Sequence, residues 1–460
     1  MWIEQAAGRH GGAVYLAEAR GGGTLTYAGL RAAAGDWERR LDEAGLPHGA
    51  RIAIRHAEPL EYATALVAIV AAGRVAVPLD PGAPPAEVER VVAVARPAAT
   101  VTTGSFRINF SERTPGDSGI FLCTSGTTGT PKGILLRDEQ LAHTAASVVA
   151  AHRLTRADRG YCSLPLFHVN AEVVGLLATL RAGAYLAVDR KFSRRGFWEL
   201  IAERRITWIN AVPAIISILA MDPPAPRPAG VRFVRSASAP LSLAALRRFE
   251  SQTGVPVIET YGMTEAASMI TANPLDARKP GSAGRPAGSE VRIEAVGGIA
   301  APGEVGRVQI SGAGVIASYD SGGRPGVIDE AGWLDTSDLG YLDADGYLFL
   351  VGRADDVINR GGEKIYPREI EEILLAQPGV RSAAVVGATD AVLGERPVAY
   401  VVADPAGVAA EVEAVLREVC AAQLPRHKQP SEFCLVTEMP LGPTGKISRR
   451  QLKDLVSSRP

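Results

Sequence analysis

Residues 122–134 read Leu122-Cys-Thr-Ser-Gly-Thr-Thr-Gly-Thr-Pro-Lys-Gly-Ile134 and follow the apolar pair Ile120-Phe121. Positions 124–133 hold five hydroxyl residues, three glycines and one lysine. Glycine lets backbone N–H groups approach a ligand, hydroxyl groups donate to its oxygens, and lysine supplies charge, which together suit a polyphosphate. The segment is not a Walker A loop, because Pro131 stands where the second glycine of that motif belongs. A flexible linker is the alternative, and the fixed Pro-Lys-Gly ending disfavours it.

Strand and helix patterns alternate on both sides of this loop. Upstream, residues 28–46 carry apolar side chains at helical spacing, and a second helix at about 62–72 lies between short apolar strands at 51–54 and 75–78. The same alternation continues downstream through residues 183–259. This order predicts an α/β fold in which parallel strands are covered by helices on both faces.

The pattern changes twice towards the C-terminus, which predicts the domain organisation. Short strands separated by Gly, Pro and Asp at about 289–352 indicate a small β-rich subdomain. Beyond it, about 100 residues carry an α+β pattern of their own, enough for a separate domain. We predict an N-terminal domain over 1–352, a hinge at 353–356 and a small mobile C-terminal domain over 357–460.

The composition of the 460 residues excludes several classes of protein. Apolar residues make up 47% and charged residues 22%, which is typical of globular domains and not of disordered chains. Lysine and arginine number 49 against 50 aspartates and glutamates, so the formal net charge is −1. A nearly neutral chain has no overall attraction to nucleic acid or to an anionic membrane. We therefore expect no nucleic-acid partner.

The cysteines and the N-terminus bear on the compartment. Four cysteines in so long a chain, with no C-x-x-C pair, favour a reducing environment. The N-terminal segment carries Glu4 and does not resemble a signal peptide. The longest apolar run, around 65–73, is far shorter than the ~20 residues that a membrane span needs. These features predict a cytoplasmic protein without integral membrane association.

A series of motifs resembles the adenylate-forming (ANL) superfamily, which includes acyl-CoA synthetases, adenylation domains of peptide synthetases and luciferases. The segment 124–133 is similar to the signature loop of that family, and Tyr261-Gly-Met-Thr-Glu265 to its strongest second motif. Further similar motifs occur in the family's order at 165–170, 236–241, 336–340, 352–356, 361–365 and 443–447. The resemblance covers nearly the whole chain, and so many motifs in order leave little room for chance.

The resemblance implies a site for ATP and Mg²⁺. Glu265 would bind the magnesium, Thr264 would donate to the α-phosphate, and Tyr261 would stack on adenine. The β- and γ-phosphates would be held by the loop residues Thr124, Ser125, Gly126, Thr127, Thr128, Gly129 and Lys132. Around the nucleoside, the matching positions are Ala239, Pro240, Gly262, Asp338 and Arg353, of which Asp338 would accept from both ribose hydroxyls. Taken without its motif, Glu265 would more often be a solvated glutamate. The alternative for Tyr261 is a core tyrosine, and the alternative for Asp338 is a turn-forming aspartate.

The family's second half-reaction implies roles in the C-terminal part. Lys446 would bridge the attacking carboxylate and the α-phosphate, although most lysines are simply surface residues. Asp355 matches the hinge about which the C-terminal domain rotates to admit a thiol. After rotation, Gly361 and Gly362 would line the pantetheine tunnel. Lys364 and Lys428 are weaker candidates for binding the CoA phosphates, with a solvated surface lysine as the alternative for both.

The segment 165–175, together with 208–213 and 236–269, would form the pocket for the acid. Amino-acid-activating members carry an aspartate there to hold the substrate ammonium, and Phe167-His-Val-Asn-Ala-Glu172 lacks it, although Glu172 could substitute. We therefore predict an acid without an α-amino group. His168 would form a gate or wall of the pocket, unless it is simply a packed histidine. No single residue identifies the acid.

The resemblance thus implies an ATP-dependent carboxylate–CoA ligase, an acid–thiol ligase that works through an acyl-adenylate with release of pyrophosphate. One alternative is a ligase that loads the phosphopantetheine arm of an acyl carrier protein. Another is an enzyme for only one of the two half-reactions, which the presence of both Glu265 and Lys446 disfavours. A kinase or ordinary P-loop ATPase is a further class, and pyrophosphate release would distinguish the ligases from it.

Overall fold

The computed structural model describes residues 2–109, 116–125, 131–221, 228–322, 326–403, 409–441 and 447–457. The chain forms two compact units. The first comprises Met1–Ser238, Phe249–Val291 and Gln309–Leu334, and the second comprises Ala239–Arg248, Arg292–Val308 and Asp335–Pro460. The hinge that we predict at residues 353–356 refers to a rotation of the C-terminal domain, so it stays a prediction.

The helices alternate with strands along most of the chain. The α-helices are α1 Trp2–His10, α2 Tyr27–Glu43, α3 Pro59–Ala71, α4 Pro85–Ala95, α5 Asp138–His152, α6 Ala178–Ala182, α7 Phe197–Glu203, α8 Pro213–Leu219, α9 Leu243–Thr253, α10 Pro367–Leu375, α11 Ala409–Gln423 and α12 Arg449–Ser457. A π-helix spans Asn170–Leu177, and 3-10 turns span Thr264–Ala266, Ala354–Asp356 and Arg426–Lys428.

The strands are numbered in chain order. They are β1 Val14–Glu18, β2 Thr24–Thr26, β3 Arg51–Arg55, β4 Val75–Pro78, β5 Ala99–Thr102, β6 Ser105–Ile108, β7 Gly119–Ser125, β8 Pro131–Arg137, β9 Arg159–Cys162, β10 Tyr185–Val188, β11 Trp208–Ala211, β12 Phe233–Ser236, β13 Val257–Tyr261, β14 Thr271–Ala272, β15 Arg285–Pro286, β16 Glu290–Ala295, β17 Gly298–Ile299, β18 Gly306–Ser311, β19 Leu334–Leu342, β20 Leu348–Arg353, β21 Ile358–Arg360, β22 Glu363–Ile365, β23 Val380–Asp390, β24 Gly394–Ala403 and β25 Glu432–Leu435.

Two largely parallel sheets form the first unit. One has the order β6-β5-β3-β4-β7-β8, in which β3 pairs in parallel with both β4 and β5. The other has the order β15-β14-β13-β12-β11-β9-β10-β1-β2, parallel from β13 through β1. Antiparallel pairing is confined to their edges. The predicted parallel α/β architecture is confirmed.

Helix α3 explains how the two sheets share one core. It packs against β1 and β2 of the longer sheet and against β3 and β4 of the shorter one. Its side chains from Tyr62 to Ala71 are almost all buried, with Thr64 as the exception. A helix that is apolar all round belongs in a core, because no face of it is suited to water. Most of the apolar run around residues 65–73 therefore lies in a buried helix. Among the described residues, no helix is long and apolar enough to cross a membrane.

The second unit holds the remaining sheets. Strands β17-β16-β18-β19-β20 form the β-rich subdomain, most of which lies in this unit. Strands β22-β21-β24-β23, with β25 beside β24, form the C-terminal sheet. On β24, Ala399 and Val401 join the core under α10 and α11, while Val398 and Tyr400 join the core under α12. This alternation places helices on both faces of the sheet, which confirms the predicted α+β character.

Candidate active site

The predicted phosphate loop joins the two strands of a hairpin. Strands β7 and β8 pair antiparallel, with Thr124 opposite Lys132 and Ser125 opposite Pro131. The ladder therefore brings together the two ends of the segment 126–130. The predicted ligands Gly126, Thr127, Thr128 and Gly129 lie outside the described residues, as does the Ser125 side chain.

A tyrosine connects the end of this hairpin to the predicted magnesium ligand. The hydroxyl of Tyr319 donates to Oε1 of Glu265 at 2.9 Å, and Nζ of Lys132 lies 5.1 Å from the centre of the same ring. The segment is fixed beside β8, because Gly133 N–H donates to the carbonyl of Ser321 at 3.0 Å. Tyr319 is a site residue that sequence reasoning missed. Only this tertiary contact identifies it.

The backbone around Glu265 is tightly constrained. Glu265 is buried in a 3-10 turn, and it is followed by Ala267 and Ser268 at φ of 48° and 95°. Left-handed conformations in non-glycine residues cost about 1–3 kcal/mol each and concentrate at functional sites. Gly262 precedes the turn, where an added Cβ would lie 1.3 Å from the carbonyl oxygen of Ser268. Any side chain at 262 would displace the turn that carries the carboxylate.

Tyr319→Phe should weaken magnesium use without unfolding the protein. Loss of the hydroxyl removes the hydrogen bond that orients Glu265, and loss of such supporting partners typically costs ~10–100-fold in metal affinity or activity. We expect the Mg²⁺ concentration for half-maximal pyrophosphate release to rise about 10-fold, by the same reasoning. Tyr341→Phe is the control, because that ring stacks on Phe349 at 5.0 Å. An unchanged magnesium titration of Tyr319→Phe would remove the proposed role of this contact.

The other nucleotide candidates of the first unit lie at the end of β13. Tyr261 and Thr264 are half-buried, so Tyr261 is not a fully buried core residue. Tyr261 is the last residue of β13 and pairs with Thr271 of β14. Its assigned stacking on adenine stays a prediction.

The ribose candidates of the second unit do lie together. Asp338 and Arg353 are opposite one another in the β19–β20 ladder, and Nη1 of Arg353 is 3.2 Å from Oδ1 of Asp338. Asp338 N–H donates to Oγ1 of Thr336, and the preceding Ser337 has a left-handed φ of 62°. Asp338 is thus a strand residue that forms an ion pair with Arg353, and it is not a turn residue. Ala239 and Pro240, also in this unit, are exposed.

The predicted hinge residue lies in a 3-10 turn that α12 contacts. Lys453 Nζ is 3.5 Å from the carbonyl oxygen of Asp355, and Arg449 Nε is 3.4 Å from Oδ2 of Asp356. Arg449 also pairs with Glu371 of α10 at 2.8 Å. Lys446 lies outside the described residues.

Gly361 and Gly362 form the two-residue turn of the β21–β22 hairpin. Arg360 pairs with Glu363 across it, and both glycines have positive φ, 60° and 92°. A turn with two positive φ angles matches the twist of a hairpin and requires glycine-like residues. Local structure therefore explains this glycine pair by itself, and its role in a pantetheine tunnel stays a prediction.

The two CoA-phosphate candidates differ in their surroundings. Lys364 is exposed on β22. Lys428 Nζ is 2.7 Å from a carboxylate oxygen of Glu369, so its charge is already paired within the second unit. This pairing makes Lys364 the stronger candidate.

The predicted acid-site helix begins as a π-helix, which is rare and often occurs at functional sites. His168 is half-buried just before it, with its ring 4.7 Å from that of Phe167. Glu172 is fully buried, and among the described residues neither of its carboxyl oxygens has a hydrogen-bond partner. Burial raises the pKa of Glu172 well above its usual range. Burial thus disfavours the ionised carboxylate, which is the form that would hold an ammonium ion.

Glu172→Gln should change how stability depends on pH. The pKa of Glu172 is higher in the folded state than in the unfolded chain. Above about pH 4.5 the group therefore ionises more readily in the unfolded chain, which favours unfolding. Below that pH it is protonated in both states and has no effect on stability. The glutamine variant lacks this penalty. We expect its melting temperature to exceed that of the wild type increasingly between pH 5 and pH 8. If the melting temperatures of the two proteins instead change with pH in parallel over that interval, Glu172 ionises normally.

A second buried polar group lies behind the same helix and was not predicted. Arg235 of β12 donates from Nη1 to Oδ1 of Asn170 at 2.8 Å and to Oδ1 of Asn210 at 3.1 Å. Asn210 Nδ2 donates to Oδ1 of Asn170, and Asn170 Nδ2 donates to Oγ of Ser238 at 3.2 Å. In sequence, Arg235 is only a polar residue within an apolar strand, which gives no sign of these partners.

Comparisons with known proteins identify the family of this chain. A family model described as AMP-binding enzyme matches residues 3–120 and 108–320, and one described as AMP-binding enzyme C-terminal domain matches 369–446. The chain belongs to the AMP-binding, adenylate-forming enzyme family. The motif-based assignment to this family is thereby confirmed.

Several relatives of this adenylate-forming enzyme are CoA ligases. A sulfoacetate–CoA ligase of Cupriavidus necator is 46% identical over 345 residues, covering 74% of this chain and 67% of that protein. An oxalate–CoA ligase of Arabidopsis thaliana is 38% identical, covering 73% and 67%. The o-succinylbenzoate–CoA synthetase of Bacillus subtilis, solved with its acyl-adenylate, has a TM-score of 0.87 at 29% identity, with 98% of each chain covered.

This adenylate-forming enzyme is an AMP-forming carboxylate–CoA ligase, as the motifs predicted. The structural similarity extends over both units, and the fold class is confirmed. None of these comparisons supports the alternative of loading a carrier protein.

Proposed function

We propose that the enzyme activates a small carboxylic acid that carries a second anionic group and lacks an α-amino group, and transfers the acyl group to free CoA. The observation that carries this proposal is the 46% identity to a sulfoacetate–CoA ligase, with an oxalate–CoA ligase at 38%. Both of those acids are small and doubly charged. The fully buried Glu172 supports the absence of an amino group, because burial raises its pKa and so disfavours the charged form that an ammonium ion would need as its partner.

The first half-reaction would use the residues that match the family's motifs. The hairpin ends at Thr124 and Lys132 would hold the terminal phosphates, and Thr264 would donate to the α-phosphate. Two anions meet when the carboxylate attacks, so positive charge placed beforehand lowers the barrier. Lys446 would supply that charge between carboxylate and α-phosphate.

Magnesium fits the donor at Glu265. A carboxylate offers several acceptor positions, and the hydroxyl of Tyr319 occupies a position on only one oxygen of the Glu265 carboxylate. Mg²⁺ commonly takes one or two protein carboxylates together with substrate phosphates. The Bacillus subtilis synthetase has also been solved with ATP and magnesium ion, at a TM-score of 0.86 and 28% identity. When bound, the ion would neutralise charge on the departing pyrophosphate.

The second half-reaction would follow rotation about Asp355. Gly361 and Gly362 would then approach the pantetheine arm, and Lys364 would meet the CoA phosphates. His168 would border the acid pocket. The use of ATP and of CoA, whose thiol must stay reduced, is consistent with a cytoplasmic location. The low cysteine content also favours this location.

Mass spectrometry of reaction mixtures tests this function. The enzyme would receive ATP, magnesium and CoA with oxalate, malonate, sulfoacetate, acetate, benzoate or glycine, and parallel reactions would replace CoA by phosphopantetheine-bearing carrier proteins. We expect CoA thioesters from the doubly charged acids, with kcat/KM at least ~10-fold above those for acetate, the scale of one favourable polar contact. Strong activation of glycine, or thioester formed only on a carrier protein, would overturn the proposal.

A further inference from the structure

Arg235 is a buried cation for which the described part of the chain offers no carboxylate. The residue is 1% exposed, and its Nε has no hydrogen-bond partner among the described atoms. Burial lowers the pKa of Arg235 to about 9, which still leaves the guanidinium charged at neutral pH. An uncompensated buried charge is costly to folding. Its described hydrogen-bond acceptors are the neutral oxygens of Asn170 and Asn210, so an anionic ligand nearby would supply the missing counter-charge.

The hydrogen bonds around Arg235 have a fixed direction. Arginine has no acceptor, so the atoms of Asn170 and Asn210 that face it must be their oxygens. Both amide nitrogens must then point away from the guanidinium. Asn170 Nδ2 donates to Ser238 Oγ at 3.2 Å. Because this oxygen already accepts a bond, the hydroxyl proton of Ser238 is left to donate to another group.

The network lies at the carboxyl ends of parallel strands. Asn210 is directly opposite Arg235 on β12 and opposite Cys162 on β9. In open α/β sheets, ligands bind outside these ends. Asn170, Asn210 and Ser238 also come one each from the segments 165–175, 208–213 and 236–269, which are the three expected to line the acid pocket. Ser238 is exposed and has a left-handed φ of 73°, so its hydroxyl is at a surface in a conformation that is costly for serine.

We propose that Arg235 is a positioning residue for the acid substrate: through Asn170 and Asn210 it orients Ser238 as a hydrogen-bond donor to the second anionic group of a small doubly charged acid. The inference rests on the proposed function, whose substrate class it explains. The guanidinium adds positive potential at the pocket, and the serine hydroxyl adds the contact. A singly charged acid of similar size gains from neither.

Two variants test this role. Arg235→Met and Ser238→Ala should each raise KM for the best doubly charged acid about 10- to 100-fold, the scale of losing a hydrogen bond to a charged group. The KM for propanoate, or its Ki where it binds without turnover, should change less than about threefold, because no such bond is lost. The kcat values should stay close to that of the wild type. Arg235→Lys, which keeps the charge but not the fork of donors, should give an intermediate KM.

Arg232→Met is the matched control. Arg232 lies three residues before Arg235, just ahead of β12, and it is exposed and paired with Asp158. Its substitution should leave the ratio of the two KM values unchanged. If Arg235→Met does not fold, the inference is tested by Ser238→Ala alone, because Ser238 is exposed and its substitution should not prevent folding. Equal losses for both kinds of acid in Ser238→Ala would overturn the inference, whereas a wild type that uses no doubly charged acid would refute the proposed substrate class instead.

Discussion

Lys446→Ala is expected to lose acid-dependent pyrophosphate release by ~10²-fold or more, the scale of removing one electrostatic stabiliser from a transition state. The physical reason is the meeting of a carboxylate with an α-phosphate, at which two negative groups must approach. The thioester step has no such requirement, because a thiol displaces AMP from an anhydride already formed. The variant should therefore still convert added acyl-adenylate and CoA to the thioester.

Separate assays of the two steps measure this difference. Pyrophosphate release reports on the first step, and mass spectrometry of thioester made from supplied acyl-adenylate reports on the second. Lys191→Ala serves as the control, because Lys191 is an exposed lysine of the first unit with no role assigned to it. Equal losses in both steps would remove the specific role given to Lys446 and point to a general defect.

Much of the fold could be predicted because local patterns decide it. Helix α2 was expected at 28–46 and spans Tyr27–Glu43, and β4 was expected at 75–78 and spans Val75–Pro78. These segments are bounded by proline or by clear changes in apolar spacing, which act within a few residues. Helix α5 and the short strands β1 and β2 were not predicted, since their burial depends on neighbours distant in sequence.

The candidate site was predictable only where a motif names a residue. Glu265 and Asp338 were expected from their motifs, but Tyr319 is 54 residues from Glu265 and became visible only through a hydrogen bond. Arg235 shows the same limit more sharply, because its partners come from a π-helix and a neighbouring strand. Long-range polar contacts leave no periodic signal in a sequence.

The glycine pair at 361–362 shows the converse case, in which local structure offers a second explanation for a predicted site residue. Sequence reasoning assigned it to the passage of a narrow ligand, and the structure provides a sufficient local cause in the hairpin turn. A residue pair can serve both purposes. The two explanations can be separated experimentally, because replacing Gly361-Gly362 by Asn-Gly adds a side chain at position 361 but still suits such a turn.

Asp355→Pro is expected to spare adenylation and to lower thioester formation by about 10²-fold, the scale of misplaced reactants. Proline fixes φ near −65°, so a residue that must change φ for domain rotation can no longer do so. The substitution should be tolerated in the present conformation. Asp355 is the second residue of a 3-10 turn, a position at which the backbone N–H has no partner within the turn.

The contacts around this turn agree with a hinge that changes partners. The bonds from Lys453 and Arg449 to residues 355 and 356 measure 3.5 and 3.4 Å, and partly exposed pairs of this kind contribute at most about 1 kcal/mol. Asp355→Ala, which removes the carboxylate but keeps φ free, should retain thioester formation and so isolates the backbone effect. Normal thioester turnover by Asp355→Pro would place the hinge elsewhere in 353–356 or beyond it. A loss in Asp355→Ala equal to that in Asp355→Pro would assign the role to the carboxylate instead.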